Sequence, residues 1–323
     1  MRAVFINRYG GPEVLEYGDQ PSPAPRSKQV LVEVHAASVN PRDWLLREGR
    51  YVFRYLTRAF PLILGSDVSG VVVEAGSDTS RFRPGDAVFG MQTAFGRMGG
   101  YAEYIAMDER ALAAKPTNIS HEEAAAVPCA ALTAYGALSR IGRTKAGSHA
   151  AIIGASGGVG TYAIQLAKAL GATVAAVTSA RNASLVESLG ADRIIDYTTE
   201  HFETLLRSQD LVFDTIGRES LQKCSPVLAQ RGRYVTTIPS PATMRQALAS
   251  RLSRILRRGN AHSAHVILVR ADGKDLGRVA SLMSAGRVRS VIDSVYPLSA
   301  ARAAHEKSRS GRSRGKLVLQ VRV

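Results

Sequence analysis

Residues 150–165, AAIIGASGGVGTYAIQ, run apolar, turn through four glycines, and resume an apolar spacing that suits a helix. A backbone this bare between a strand and a helix is what an approaching anion requires. The sequence around it repeats the alternation. HAAII (149–153), TVAAV (173–177), RIIDY (193–197), LVFDT (211–215), RYVTTI (233–238) and HVILVR (265–270) are strand-like, and helical spacings separate them. Six such strands predict an α/β fold with a doubly wound parallel sheet.

Read as A-x-G-x-x-G, the turn puts Ala155, Gly157 and Gly160 at the three small positions of a dinucleotide fingerprint. Gly157 lets the backbone approach a diphosphate, and Gly160 lets the helix lie close on the sheet. Ser156, Gly157, Gly158 and Val159 are then the residues that face the negative charge. About twenty residues on, a cofactor without a 2′-phosphate calls for Asp or Glu. The stretch VTSARNAS (177–184) holds no acid but offers the Ser179 hydroxyl and the Arg181 fork, so NADPH is expected over NADH. The plain alternative is that both residues only start the next helix.

Residues 1–118 contain short strand-like runs broken by Gly and Pro, the texture of a compact β-rich domain. SHEE (120–123) is a capping box and predicts a long Ala-rich helix towards Gly142. From 271 the pattern loosens and ends in a strand, KLVLQV (316–321), too short a tail to stand alone. Three segments are therefore expected: 1–118 β-rich, 119–270 nucleotide-binding, and 271–323 returning to the first. A second helix, TMRQALASRLSRILRRGN (243–260), is expected to turn Met244, Leu248, Leu252 and Ile255 inward and its arginines to water.

No apolar run approaches the ~18 residues a membrane span needs. The strand-like start leaves no room for a leader, and the only cysteines are Cys129 and Cys224, so a cytoplasmic protein without a disulfide scaffold is expected. The net charge of +15 comes mostly from arginine, 34 Arg against 8 Lys. No nucleic-acid motif accompanies these arginines, so nucleic acid is not expected as a partner.

Further pieces now resemble one family: VLVEVHAASVNPRDW (30–44), PLILGSDVSGVVVEAG (61–76), RFRPGDAVFG (81–90), GGYAEYIA (99–106), AAAVPCAALTAYGAL (124–138), LGADRIIDY (189–197) and GKLVL (315–319). Together with the glycine turn they resemble the zinc-free quinone oxidoreductase branch of the medium-chain dehydrogenase/reductases. The resemblance implies a Rossmann domain inserted in a GroES-like catalytic domain built from both ends of the chain. Where zinc-dependent relatives carry metal ligands, this chain has Asn40, the pair Ser66-Asp67, and Cys129, and one surviving soft ligand does not make a zinc site.

The same resemblance implies that Asn40 lies beside the nicotinamide, that Thr133 touches its carboxamide, and that Tyr51 orients the acceptor oxygen. It further implies that Tyr197 lies near the 2′-phosphate and that Lys316 approaches the cofactor. Each has a plain counterpart: Asn40 also suits a helix cap, Thr133 a helix interior, Tyr51 a surface loop, Tyr197 a strand end, and Lys316 a solvated charge. The expected reaction is hydride transfer from NADPH to a quinone or an α,β-unsaturated carbonyl. Alternatives are an enoyl thioester on coenzyme A or an acidic carrier protein, and a cofactor-bound protein that mainly binds RNA or a partner. A homodimer through HVILVR is implied as well.

Overall fold

Val30, Val32 and Val34 are fully buried while Leu31, Glu33 and His35 are half-buried, so this stretch turns alternate side chains into a core. It is the 11-residue strand β3 of a computed structural model that describes residues 1–51, 54–56, 60–92, 98–255 and 262–322. The strands of the N-terminal part are β1 (Arg2–Ile6), β2 (Glu16–Asp19), β3 (Gln29–Val39), β4 (Leu62–Ile63), β5 (Asp67–Ala75), β6 (Ala87–Met91), β7 (Tyr104–Asp108) and β8 (Leu112–Ala114). The helices α1 (Pro41–Arg47) and α2 (His121–Ala125) accompany them.

Next come α3 (Pro128–Tyr135), β9 (His149–Ile153), α4 (Gly158–Ala169), β10 (Thr173–Thr178), α5 (Ala183–Ser188) and β11 (Arg193–Asp196). They are followed by α6 (Phe202–Leu205), β12 (Gln209–Asp214), α7 (Leu221–Cys224), β13 (Leu228–Thr236), α8 (Pro241–Ile255) and β14 (Ser263–Val266). All six strands pair in parallel in the order β11-β10-β9-β12-β13-β14. The order reverses at β9, whose carboxyl end is where an open parallel sheet offers a ligand crevice. β14 stops at Val266 because its partner β13 ends at Thr236, which shortens the strand expected over 265–270.

The chain closes with α9 (Gly273–Ser284), β15 (Ile292–Pro297), α10 (Ala301–Arg309) and β16 (Lys316–Gln320). β16 pairs antiparallel with β3, Leu317 opposite Val39. The resulting sheet runs β15-β16-β3-β5-β6-β8, with β7 also on β3. Two compact units result: Met1–Leu132 with Arg270–Val323, and Thr133–Val269. The first division therefore falls later than 118. Ala125 and Ala126 after the Ser120 cap pack on Ala36 and Val318 and belong with the first unit.

Two local expectations are corrected. The Ala-rich run is not one helix: α2 ends at Ala125 and α3 starts afresh at Pro128, whose ring cannot continue a helix from before it. α8 also turns the other way: Met244 and Leu248 are 55% and 61% exposed, while Thr243 and Ser250 are buried. The Ser250 hydroxyl accepts the Ala264 N–H of β14 at 3.1 Å, so the small polar face of the helix meets backbone, which an apolar stripe could not satisfy. The side chains of Leu252 and Ile255 lie outside the described residues.

Candidate functional site

In the second unit the strand β9 delivers the glycine turn to the amino end of α4. Gly154 holds φ at +75°, and a Cβ there would lie 2.6–2.7 Å from Thr215 and Ile216. A Cβ on Gly160 would lie 2.3 Å from the Gly154 carbonyl. These two glycines answer to the fold. Gly157 does not: its φ is −79°, and among the described residues, chain neighbours aside, nothing comes nearer to an added Cβ than the Gly154 oxygen at 3.4 Å. The room above Gly157 is a cradle that a side chain would fill. Gly158 and Val159 open the 12-residue α4, whose first amides have no intrahelical acceptor and carry the positive end of its dipole. Donor set and space both fit a diphosphate.

Ser156 is set by its neighbours. Its oxygen accepts from the Thr178 hydroxyl at 3.0 Å and from Asn182 Nδ2 at 2.9 Å. With both lone pairs in use, its own proton is left to donate. Ser179 and the exposed Arg181 follow the carboxyl end of β10, and the Tyr197 N–H donates to the Thr178 carbonyl at 3.1 Å. The nucleotide-side candidates are thus gathered at one end of β10 and β11. Thr133, the first residue of this unit, is buried in α3. Asn182 and Thr178 were not singled out from the sequence, because nothing in their spacing marks side chains that act on Ser156.

In the first unit the carboxyl end of β3 delivers Asn40. It stands at the N-cap of α1, and its backbone N–H donates to Asp43 at 2.8 Å. Its side chain does something else. Lys316 Nζ donates to Asn40 Oδ1 at 2.7 Å, and Asn40 Nδ2 donates to Asp67 Oδ2 at 3.0 Å. Asp67 Oδ2 also takes the Ser38 hydroxyl at 3.1 Å and the Cys129 N–H at 3.2 Å. Lys316 is buried, bonds the Val39 carbonyl at 3.2 Å and lies 3.9 Å from Asp67. Lys316 is therefore not a solvated charge: it holds Asn40.

Arg42 completes this cluster, donating from Nε to Ser66 Oγ at 3.0 Å and from Nη2 to the Gln92 carbonyl at 2.9 Å. Burial, reinforced by Asp67, pushes the half-buried Cys129 thiol up to about 11 and keeps it protonated. Tyr51 packs half-buried on the core of this unit, and burial raises its phenol against the pull of Arg42, so it too keeps its proton. Among the described residues no group of three or more His, Cys, Asp or Glu stands where it could hold a metal ion.

Behind Asn40 runs a buried line of hydrogen bonds. Arg47 Nη1 lies 3.2 Å from His305 Nδ1, and an arginine only donates. His305 must then carry its proton on Nε2, which faces the Tyr101 hydroxyl at 3.3 Å, and Tyr101 donates to Asp43 Oδ2 at 3.0 Å. Burial, with Arg47 adding to it, drops His305 to about 3, while burial lifts Asp43 to about 6 against Arg42. Asp43, third after the Asn40 cap, was not singled out from the sequence, and neither were its partners.

A pH dependence follows from these shifts. Between about 3 and 6.5 the unfolded chain binds a proton at residue 305 that the folded chain refuses, so stability falls as pH drops through this window. Asp43 opposes this between about 6 and 3.8, where the folded form binds the extra proton, and His121, lowered to about 4, adds to the loss. Urea unfolding of His305→Gln between pH 4 and 6 is expected to show a curve flatter by about 1.4 kcal/mol per pH unit than the parent. Parallel curves would contradict the buried neutral histidine.

Residues 26–117 match the alcohol dehydrogenase GroES-like domain, and residues 189–319 match the zinc-binding dehydrogenase family. Over 330 residues the chain is 36% identical to a chloroplastic quinone-oxidoreductase of Triphysaria versicolor, covering 99% of this chain and 98% of that one. The quinone oxidoreductase of Coxiella burnetii has a structure similar to this one, with a TM-score of 0.89 at 34% identity over 100% of this chain and 99% of that one. Escherichia coli quinone oxidoreductase, solved with NADPH, gives 0.82 at 26% identity over 99% and 100%. The glycine turn on its parallel sheet, the GroES-like segment, and these full-length likenesses together make the chain a member of the quinone oxidoreductase branch of the medium-chain dehydrogenase/reductase superfamily.

Proposed function

We propose that this chain is an NADPH-dependent oxidoreductase that passes hydride to a quinone or to the C=C of an α,β-unsaturated carbonyl, without zinc. The observation that carries this reading is the vacant approach to Gly157 beside Ser156, with Ser179 and Arg181 at the adjoining strand end. The NADPH bound to the Escherichia coli relative supports the choice of nucleotide. Zinc independence is supported by the donor set. Asp67 Oδ2 already accepts three donors of this chain with the Lys316 ammonium 3.9 Å away, Asn40 and Ser66 offer only neutral side chains, and Cys129 would be the one soft ligand.

When bound, a reduced nicotinamide supplies the hydride. The tasks left to side chains are those of alignment and charge. Ser156 and the first amides of α4 hold the diphosphate, and Arg181 with Ser179 holds the 2′-phosphate. Tyr51 keeps a proton available at its phenol oxygen, and Lys316 with Asp67 fixes the plane of the Asn40 amide.

Binding titrations of the purified chain with NADPH and NADH test the first step. Arg181→Ala is expected to weaken NADPH roughly tenfold and leave NADH nearly unchanged, since charge-assisted bonds to phosphate are worth about 1.5 kcal/mol or more. Loss of NADPH absorbance on adding quinones, free enones and enoyl thioesters then identifies the acceptor, and turnover is expected to survive dialysis against a chelator. Equal affinity for both nucleotides in both proteins, or chelator-sensitive turnover, contradicts the reading. Turnover confined to thioesters moves it to the tethered acceptors.

A further inference from the structure

Arg42 is, with Lys316, one of two buried cations of the Asn40 cluster, only 7% exposed. Nε and Nη2 are spent on Ser66 and Gln92. Nη1, fully screened from solvent, has no hydrogen-bond partner among the described residues. An unpaired N–H on a buried guanidinium is costly, so such a group is expected to meet an oxygen when the site is at work. The ionisable groups that act on this guanidinium are Cys129, Asp43, Asp67 and Tyr51. Asn40 has less to give: its Oδ1 is taken by Lys316, and one N–H of Nδ2 goes to Asp67.

We propose that Nη1 of Arg42 is the hydrogen-bond donor to the carbonyl oxygen of the acceptor, with the Tyr51 phenol beside it. This rests on the oxidoreductase reading above. The charges of the cluster argue for a neutral carbonyl rather than a carboxylate-bearing acceptor. Arg42 and Lys316 already face Asp43 and Asp67, so the site has donor capacity to offer but no net charge. In the reaction the acceptor gains a hydride, hence two electrons and one hydrogen. Negative charge develops on its conjugated oxygen against Arg42, one proton from Tyr51 or water completes the addition, and the nicotinamide leaves oxidised. A guanidinium shielded from water favours that developing charge more than the starting carbonyl, which is the condition for raising kcat.

Arg42→Gln keeps a hydrogen bond to Ser66 within reach and removes the charge. It is expected to lower kcat/KM for a quinone by roughly 10²–10³, with the NADPH dissociation constant nearly unchanged. Added guanidinium chloride at millimolar concentration should restore part of the turnover of Arg42→Ala. Across a quinone series, the variant should depend more steeply on how electron-poor the acceptor is. A merely structural arginine would move neither readout. Wild-type turnover retained within about threefold by Arg42→Gln overturns the inference, as does a loss with no rescue and an unchanged slope. A wild-type chain that oxidises NADPH with no quinone or enone overturns the functional reading itself, and Arg42 with it.

Discussion

Gly157→Val should leave the fold intact and remove most of the affinity for NADPH. The two halves of this expectation come from different atoms. Backbone angles of −79° and 174° suit valine, and among the described residues, chain neighbours aside, the one atom near a new Cβ is the Gly154 oxygen at 3.4 Å, so the melting temperature should hardly move. The methyl groups would then occupy the cradle at the start of α4. Filling a close-packed contact surface costs about 1–3 kcal/mol, roughly fivefold to 150-fold in affinity. Gly160→Val is the control. Its Cβ would sit 2.3 Å from one carbonyl oxygen and 2.6 Å from another, so α4 must lift from the sheet and the variant should melt early. Fluorescence titration with NADPH beside a thermal melt separates the two positions. Unchanged NADPH affinity in a folded Gly157→Val would remove the diphosphate from this turn.

That contrast shows what the sequence could and could not reveal. The spacing of the glycines was legible because strand, turn and helix follow one another directly, and the same is true of the Ser120–Glu123 box, which closes at 2.8 and 3.1 Å. Which of those glycines the fold itself requires depends on contacts from elsewhere, as at Gly154, which meets Thr215 and Ile216 just past the end of β12. Asn40 was legible as a residue type at a helix start. Its real constraint comes from Lys316, 276 residues away, and no local pattern carries that contact. The chain from Asp43 through Tyr101 to His305 spans separations of 58 and 204 residues and was invisible for the same reason. α8 was misread because periodicity reports which residues are apolar, not whether the neighbouring surface is apolar or bare strand backbone.

Lys316→Met should be among the most destabilising single changes in the first unit. The side chains of Lys316 and Asp67 are 4% and 0% exposed and lie 3.9 Å apart, so neither can turn to water when the other is lost. Methionine fills a similar volume, which isolates the charge. Removing one member of a buried pair costs about 3–5 kcal/mol, because the remaining charge stays desolvated. Here the Val39 carbonyl and Asn40 Oδ1 lose their donor as well. Arg42 still acts on Asp67 and softens the loss without replacing those two bonds. A drop in melting temperature on the order of 10 °C is expected. Adding Asp67→Asn should recover part of it, since the neutral amide can still accept from Asn40 Nδ2 and leaves no orphaned charge, and the double-mutant cycle then measures the coupling. If Lys316→Met instead melts with the parent, the ammonium is not what holds the Asn40 amide in place, and the rigidity ascribed to this side of the site must come from the α1 cap alone.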